Sequence, residues 1–260
     1  MEKKTVQKYY RFAKQYHLTS YILRLCDVIR PKRLTSLKYP IYCRFISNHW
    51  VCDDYEKNIR EAFIKVVRER RCVNFYDVGA NTGIFSLDFL THVSKGKVIA
   101  FEPNPSVFKC LQKTKKKNNL ENLLPQRLAL SSYNGIATLT FDPMSPALGG
   151  LHPLSDGKYL HEIIYKGISK KCEVTSCTLD KFFSESKVRP DIIKIDAEGE
   201  EFQILKGSLQ LLKENQPVLL FESSNHQDDT QRLLDDLGYA IYDLNLKPGP
   251  IGGMNFAMPK

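Results

Sequence analysis

The sequence predicts an α/β fold: a seven-stranded sheet with six strands parallel and the last antiparallel, preceded by a basic, mainly helical N-terminal extension. Three observations predict it. From residue 74 onward, short apolar strands alternate with helix-patterned segments, which is the pattern of a parallel sheet. The first of these strands breaks after Asp77 into a glycine-punctuated turn, Val78-Gly79-Ala80-Asn81-Thr82-Gly83, that opens a helix. The final strand, residues 255–258, follows its predecessor across Pro248-Gly249-Pro250 and Gly252-Gly253. That link is too short for a helical crossover, so the strand must run antiparallel.

The elements follow in order. Residues 6–29 set Val6, Tyr9, Tyr10, Ala13, Tyr16, Ile22, Leu25 and Ile29 at intervals that suit one helix face, interleaved with Lys8, Arg11, Lys14 and Arg24. This reads as a basic amphipathic helix, or two helices broken near residues 18–20. Residues 31–40 are a basic, Pro-bounded connector, 41–46 a strand, and 55–68 a helix with Ile59, Phe63 and Val66 on one face. The core then runs as a strand to Val78, helix 84–92, strand 97–101, helix 107–117 and strand 128–130. Residues 135–141 suggest an added strand, and 142–170, with its Pro, Gly, Ser and His residues, reads as a lid or substrate loop. A strand at 172–177 and a short helix from Thr178 lead to strand 192–195, helix 201–212, strand 218–221, helix 229–237 and strand 240–244. The division expected is an extension over residues 1–73 and a ligand-binding domain over 74–260.

Composition narrows the class. The formal charge of +9 is concentrated at one end: residues 1–73 hold 17 Lys/Arg against 7 Asp/Glu, and residues 74–260 hold 21 against 22. A basic extension on a near-neutral core points to an anionic partner, whether membrane surface, acidic glycan or nucleic acid, or else to a solvated helix face. No apolar run approaches the roughly 18 residues needed to span a bilayer, and the first twenty residues lack a signal-peptide h-region and cleavage site. The seven cysteines are odd in number, with no C-x-x-C pair, so a disulfide framework or zinc site is disfavoured. A reducing, cytoplasmic setting follows, with a peripheral position on a membrane surface left open.

The turn at residues 77–83 is a nucleotide cradle with an unusual feature. In a dinucleotide enzyme the helix N-terminus faces a pyrophosphate, which a carboxylate at the strand tip would repel. Asp77 instead suits a cationic ligand, such as the amino acid end of S-adenosylmethionine, and the G-x-x-x-G spacing with Asn81 inside differs from the dinucleotide G-x-G-x-x-G. Glu102 follows Gly79 by 23 positions, at the tip of the second core strand. An acidic residue there accepts hydrogen bonds from ribose hydroxyls. Pro103 and Pro105 end that strand and start the next helix.

Ligands in such sheets bind beyond the carboxyl ends of the strands. Those tips are acidic: Asp196-Ala197-Glu198-Gly199-Glu200-Glu201 after one strand, and Glu222-Ser223-Ser224-Asn225-His226 after the next. Transfer of a methyl group to a hydroxyl needs in-line approach and a group to receive the alcohol proton. Asp196, Glu198, Glu222 and His226 are the catalytic candidates. Glu200 and Glu201 read as favourable charge in a helix's first turn. No His/Asp set has recognisable ligand spacing, so no metal is expected.

Asp77 to Gly83 (DVGANTG), Phe101-Glu102-Pro103, the ALSS run ending at Ser132, Thr178-Leu179-Asp180, and above all the IKIDAEG block ending at Gly199, followed by Leu205-Lys206-Gly207, resemble the FkbM family of methyltransferases in order and spacing. The resemblance covers roughly residues 40–258, and IKIDAEG-to-LKG is its specific part. It implies a class I methyltransferase, Rossmann-like sheet and S-adenosylmethionine-dependent O-methylation of a hydroxyl on a sugar, glycolipid or related small molecule. It also implies Asp77, Gly79, Asn81, Gly83 and Glu102 at the cofactor, with Asn104, Leu130 and Asp196 beside them. Ser132 departs from the acidic residue often found there, and residues 1–39 lie outside the resemblance. Two alternatives stand beside this reading. One is an RNA methyltransferase, against which no N-P-P-Y type motif or RNA-binding module is present. The other is a non-catalytic scaffold of the same fold whose basic helix docks on an anionic membrane.

Overall fold

The computed structural model describes residues 27–260 except 46, 49, 143–144, 152–169 and 224–225. The predicted helix over residues 6–29 falls almost wholly outside the described residues. Its end does not: Ile29–Lys32 is a strand (β1), paired antiparallel with Ile41–Arg44 (β2). Helix α1, Lys57–Glu69, buries Phe63, Ile64, Val66 and Val67, and Arg60 reaches from it to the buried Asp88, with Nη2 donating to Oδ1 at 3.1 Å. Then come β3 (Asn74–Val78), α2 (Ile84–His92), β4 (Lys97–Phe101), α3 (Pro105–Asn118), β5 (Leu123–Gln126), β6 (Ala129–Leu130), β7 (Gly135–Asp142), β8 (Ser145–Gly150) and β9 (Lys170–Cys177). The remainder is α4 (Leu179–Glu185), β10 (Ile192–Ile195), α5 (Glu201–Lys206), α6 (Leu209–Asn215), β11 (Val218–Glu222), α7 (Gln227–Asp236), β12 (Tyr239–Tyr242) and β13 (Met254–Pro259).

The central seven-stranded sheet has the order β12-β13-β11-β10-β3-β4-β5, and β13 runs antiparallel to both neighbours. Period-two alternation divides its side chains between two cores. Phe75, Val98, Ala100, Ile192 and Leu220 face Phe63, Phe85 and Phe89, whereas Tyr76, Ile99, Phe101, Ile193, Ile195 and Phe221 face Leu179, Leu205 and Leu211. The first core also holds Leu34, Leu37, Ile41, Cys43 and Val51, so residues before position 73 pack into the same hydrophobic unit as the sheet. Helix α3 starts at Asn104, whose side chain accepts from Ser106 N at 3.0 Å with Pro105 in the first turn, and it ends at Asn119 in the left-handed region with Lys115, Lys116 and Lys117 in its last turn. The hairpin is tied to it, since Tyr42 N donates to Thr114 Oγ1 at 2.9 Å and Asn118 Nδ2 to the Pro40 carbonyl at 2.9 Å.

Three expectations are corrected. The strand following α3 is Leu123–Gln126, not 128–130; as the sheet's edge it tolerates Pro125, which cannot donate to a ladder. Ala129–Leu130 instead joins a second sheet of order β6-β9-β7-β8. The lid expected over 142–170 begins as strand Ser145–Gly150 and returns as β9, and its residues 152–169 lie outside the described residues. Helix 201–212 is broken at Gly207 and Ser208, where a Cβ on Gly207 would lie 2.2 Å from the Ser131 carbonyl oxygen. Among the described residues, no helix is long and apolar enough to cross a membrane.

Candidate active site

The cradle is built where β3, β4 and β10 end. Past Val78 the chain turns through Gly79 (φ 71°), Asn81 (φ 51°) and Gly83 (φ 89°), and the Gly79 and Ala80 amides both donate to the Phe101 carbonyl at 3.1 and 2.9 Å. A Cβ on Gly79 would lie 1.8 Å from the Asp196 carbonyl oxygen, so the two strand tips approach more closely than any side chain allows. Glu102 locks this turn to the next loop: Oε2 accepts from Asn81 N at 2.9 Å and Oε1 from Asn104 N at 2.8 Å. It is buried, and that burial pushes its carboxyl up to about 7.

Beneath the turn, sheet register sets Lys194 opposite Asp77. Lys194 is a buried ammonium in an otherwise apolar strand, 3.0 Å from the Asp196 carboxylate, 4.0 Å from that of Asp77 and over the Phe85 ring at 5.1 Å. Burial opposes its charge, but Asp196 and Asp77 outweigh burial and raise its pKa. Asp77 is fully buried, takes the Ser86 hydroxyl at 2.6 Å on Oδ2, and has its pKa raised by burial.

The acidic loop after β10 is held from below. Glu201 Oε1 accepts from Ala197 N at 2.8 Å and Gly199 N at 3.1 Å, which presents Glu198 in the left-handed region (φ 53°). Holding a glutamate there costs about 1 kcal/mol or more, a conformation that clusters at functional sites. Glu198 stays accessible to solvent at the rim. The protein around its carboxyl, then the like charges of Asp196, Glu222 and Glu201, push it up to about 7. Glu222, closing β11, is raised by partial burial and by Asp196. Trp50, Tyr55 and Glu56, which precede α1, line the same cavity with Leu139, Gly149 and Leu151.

One cavity thus gathers Gly79, Asn81, Glu102, Asn104, Leu130, Asp196, Glu198 and Glu222 from the sequence-predicted set. Asp77 and Gly83 do not line it: Asp77 lies under the floor beside Lys194, and a Cβ on Gly83 would meet Leu111 Cδ1 at 2.5 Å, so Gly83 serves helix packing. His226 is corrected more sharply. Its side chain is 55% exposed, stacks on Phe202 at 5.1 Å and pairs with Asp229 at 3.7 Å, away from the cavity lining. Glu200 and Glu201 stand at the N-cap and first turn of α5 as expected, but both are buried, and Glu200 takes the Ser131 hydroxyl while lining the cavity. Sequence reasoning missed Trp50, Tyr55, Glu56 and Lys194. Only Lys194 carried a signal, a charge inside the apolar run Ile192-Ile193-Lys194-Ile195.

The site fits an adenosine-type cofactor with a polar, cationic end. Asn81 Oδ1 and Thr82 Oγ1 are buried along the turn without a hydrogen-bond partner in residues that line the cavity, and polar atoms left in this state mark where a polar ligand completes the set. Asp196, Glu201 and Glu222 place one oxygen each within 4.8 Å of one another, a spacing a metal ion tolerates. Lys194 at 3.0 Å already supplies Asp196 with a cation, and Glu201 Oε1 is taken by two amides.

Sheet order, reversed last strand and cradle together define a methyltransferase of the class I type. The methyltransferase FkbM domain model matches residues 77–241, more than half of the chain, and the chain belongs to that family. It is 30% identical over 188 residues to methyltransferase sdnD of Sordaria araneosa, covering 64% of this chain and 73% of the relative. It is also 27% identical over 163 residues to the hexuronic acid methyltransferase AglP of Haloferax volcanii, covering 62% of this chain and 61% of that protein, so it spans less than two thirds of that relative. The crystal structure of the FkbM methyltransferase from Methylobacillus flagellatus superposes with a TM-score of 0.48 at 16% identity over 71% of this chain, which spans 43% of the solved one.

Proposed function

We propose that this chain is an S-adenosylmethionine-dependent O-methyltransferase acting on a hydroxyl of a saccharide, glycolipid or related small molecule. The observation that carries the reading is the convergence of Asp196, Glu198 and Glu222 on the same cavity as the Gly79–Asn81 turn and Glu102. Gly79, Asn81, Glu102, Asn104 and Leu130 would hold the cofactor, which when bound supplies a methyl group on a positively charged sulfur. With that group bound, an acceptor oxygen would take the methyl carbon as the sulfur left, and the hydroxyl proton would pass to a carboxylate of this chain. Glu198 is the base best suited to this: it is accessible, and its pKa of about 7 matches the operating range of a general base. Asp196, neutralised by Lys194, positions groups and does not take the proton.

Incubation of the protein with methyl-labelled S-adenosylmethionine and glycan or glycolipid fractions tests this. Label that survives alkaline hydrolysis is expected, because methyl ethers are alkali-stable. Label released by alkali would mark a methyl ester and overturn the hydroxyl assignment.

A surface observation favours a membrane contact as well. On the hairpin side Arg30, Arg33 and Lys38 are exposed, Val28 and Phe45 are 43% and 64% exposed, and the Arg30 guanidinium lies over the Phe45 ring at 5.3 Å. Basic groups beside exposed apolar side chains suit an anionic lipid interface. Full-length protein should co-sediment with phosphatidylserine vesicles at low salt and not with phosphatidylcholine vesicles; equal binding to both would remove the electrostatic reading.

A further inference from the structure

Trp50 and Tyr55 stand with ring centroids 4.5 Å apart and planes 46° from parallel, both half-buried, and both line the same cavity as the acidic loop. Such a tilted pair offers an apolar face at a wet site, the setting in which aromatic rings carry ligand contacts. Glu56 is next to them, hydrogen-bonded to Tyr55 and held in the left-handed region (φ 46°), a conformation that presents its carboxylate to the cavity instead of extending α1. All three residues precede position 77, where the family match begins. This wall of the cavity comes from the segment that precedes the matched domain.

The charge of the cavity restricts what the wall can accept. Six lining residues are acidic, namely Glu56, Glu102, Asp196, Glu198, Glu200 and Glu222, while Lys194 is the one lining cation among the described residues. Lys194 is 2% exposed and already faces Asp196 and Asp77. An acceptor bearing a carboxylate or phosphate would lose its hydration and meet like charge, with no other lining cation among the described residues as compensation.

We infer that Trp50, Tyr55 and Glu56 form the acceptor site and that it selects a neutral pyranose, stacked by its C–H face on the aromatic pair with hydroxyls donating to Glu56 and Glu198. This rests on the methyltransferase reading above and deepens it. It also separates this chain from a relative named for an acidic sugar.

Trp50 is the chain's single tryptophan, so tryptophan emission reports from this wall alone. Full-length protein saturated with S-adenosylhomocysteine is titrated, at about pH 8 where Glu198 is ionised, with methyl pyranosides of glucose, galactose and mannose and with methyl glucuronoside. At least one neutral pyranoside should change the emission saturably, and the glucuronoside should bind about tenfold more weakly or worse. Tyr55→Ala should weaken pyranoside binding about tenfold, and Tyr55→Phe, which keeps the ring, should restore most of it. S-adenosylhomocysteine binding by calorimetry in the same samples verifies folding. Glucuronoside binding as tight as the neutral sugars, or pyranoside binding indifferent to Tyr55→Ala, overturns the inference. Bound S-adenosylhomocysteine with no pyranoside response, up to the sugars' solubility, overturns it while leaving the methyltransferase reading intact. Absence of S-adenosylhomocysteine binding overturns both.

Discussion

The ammonium of Lys194 lies 3.0 Å from the carboxylate of Asp196, and the pair joins the buried floor of the sheet to the open cavity. Lys194 is the counter-ion that lets two aspartates share that region, since Asp77 is 4.0 Å away on its other side. Lys194→Met should cost about 3 kcal/mol or more, because it leaves buried charge uncompensated. Asp77→Asn in the Lys194→Met background should recover part of that loss. Urea unfolding of the four proteins checks this, and additive losses would show that the lysine and Asp77 do not interact.

Turnover should rise with pH through about 7 as Glu198 loses its proton and becomes able to accept one. Glu198→Gln should lower kcat by about a hundredfold or more and remove that rising limb. A pH–rate profile of the two proteins distinguishes this role from a structural one. An unchanged limb in Glu198→Gln assigns the base elsewhere, with Glu222 next in order.

Glu102 gives a different pH signature. Its carboxyl is raised to about 7 in the ligand-free fold against about 4.5 for an exposed glutamate. The folded state therefore prefers the protonated form. The associated stability is fully present below about pH 4.5 and is lost as pH rises through about 7. Ribose hydroxyls donate best to the ionised form, so cofactor affinity should move the opposite way and weaken as pH falls below about 7. Calorimetric titrations at about pH 5.5 and about pH 8 read the affinity, and urea midpoints across the same range read the stability. Affinity independent of pH would remove Glu102 from the ribose contact.

The two glycines of the turn should respond unequally. A Cβ at position 79 meets backbone at 1.8 Å, and nothing there can give way, so Gly79→Ala should cost about 3 kcal/mol or more and abolish cofactor binding. At position 83 the obstacle is the end of the Leu111 side chain, which can rotate. Gly83→Ala should cost about 1–2 kcal/mol, largely for its positive φ, and leave measurable binding. Thermal unfolding with and without S-adenosylhomocysteine separates the two.

Chelation should leave turnover unchanged, because Lys194 already balances Asp196 and Glu201 is committed to the Ala197 and Gly199 amides. Turnover lost in EDTA and restored by a divalent ion would reassign the Asp196, Glu201 and Glu222 oxygens as ligands.

The cavity-lining turn residues were legible in the sequence because they sit at strand tips, where spacing and turn chemistry act locally. Gly79, Asn81 and Glu102 were found that way, and the reversed β13 followed from the short link before it. Asp77 was read as a ligand contact, but its register opposite Lys194 buries it; cross-strand neighbours 117 positions apart leave no local trace. Pro125 hid the edge strand β5, since proline in a strand reads as a break until the strand is known to be an edge. His226 was a catalytic candidate through its place four residues after Glu222, yet its ring stacks on Phe202 and is not among the residues lining the cavity. The proposed acceptor wall left no motif at all: Trp50, Tyr55 and Glu56 gain meaning only once the fold brings them to the same cavity as Asp196 and Glu198.

Isothermal titration with S-adenosylmethionine tests whether this cavity holds the methyl donor. Saturable one-site binding that Glu102→Ala abolishes is the expected result. Tight binding of NAD in its place, or S-adenosylmethionine binding indifferent to Glu102→Ala, would contradict it.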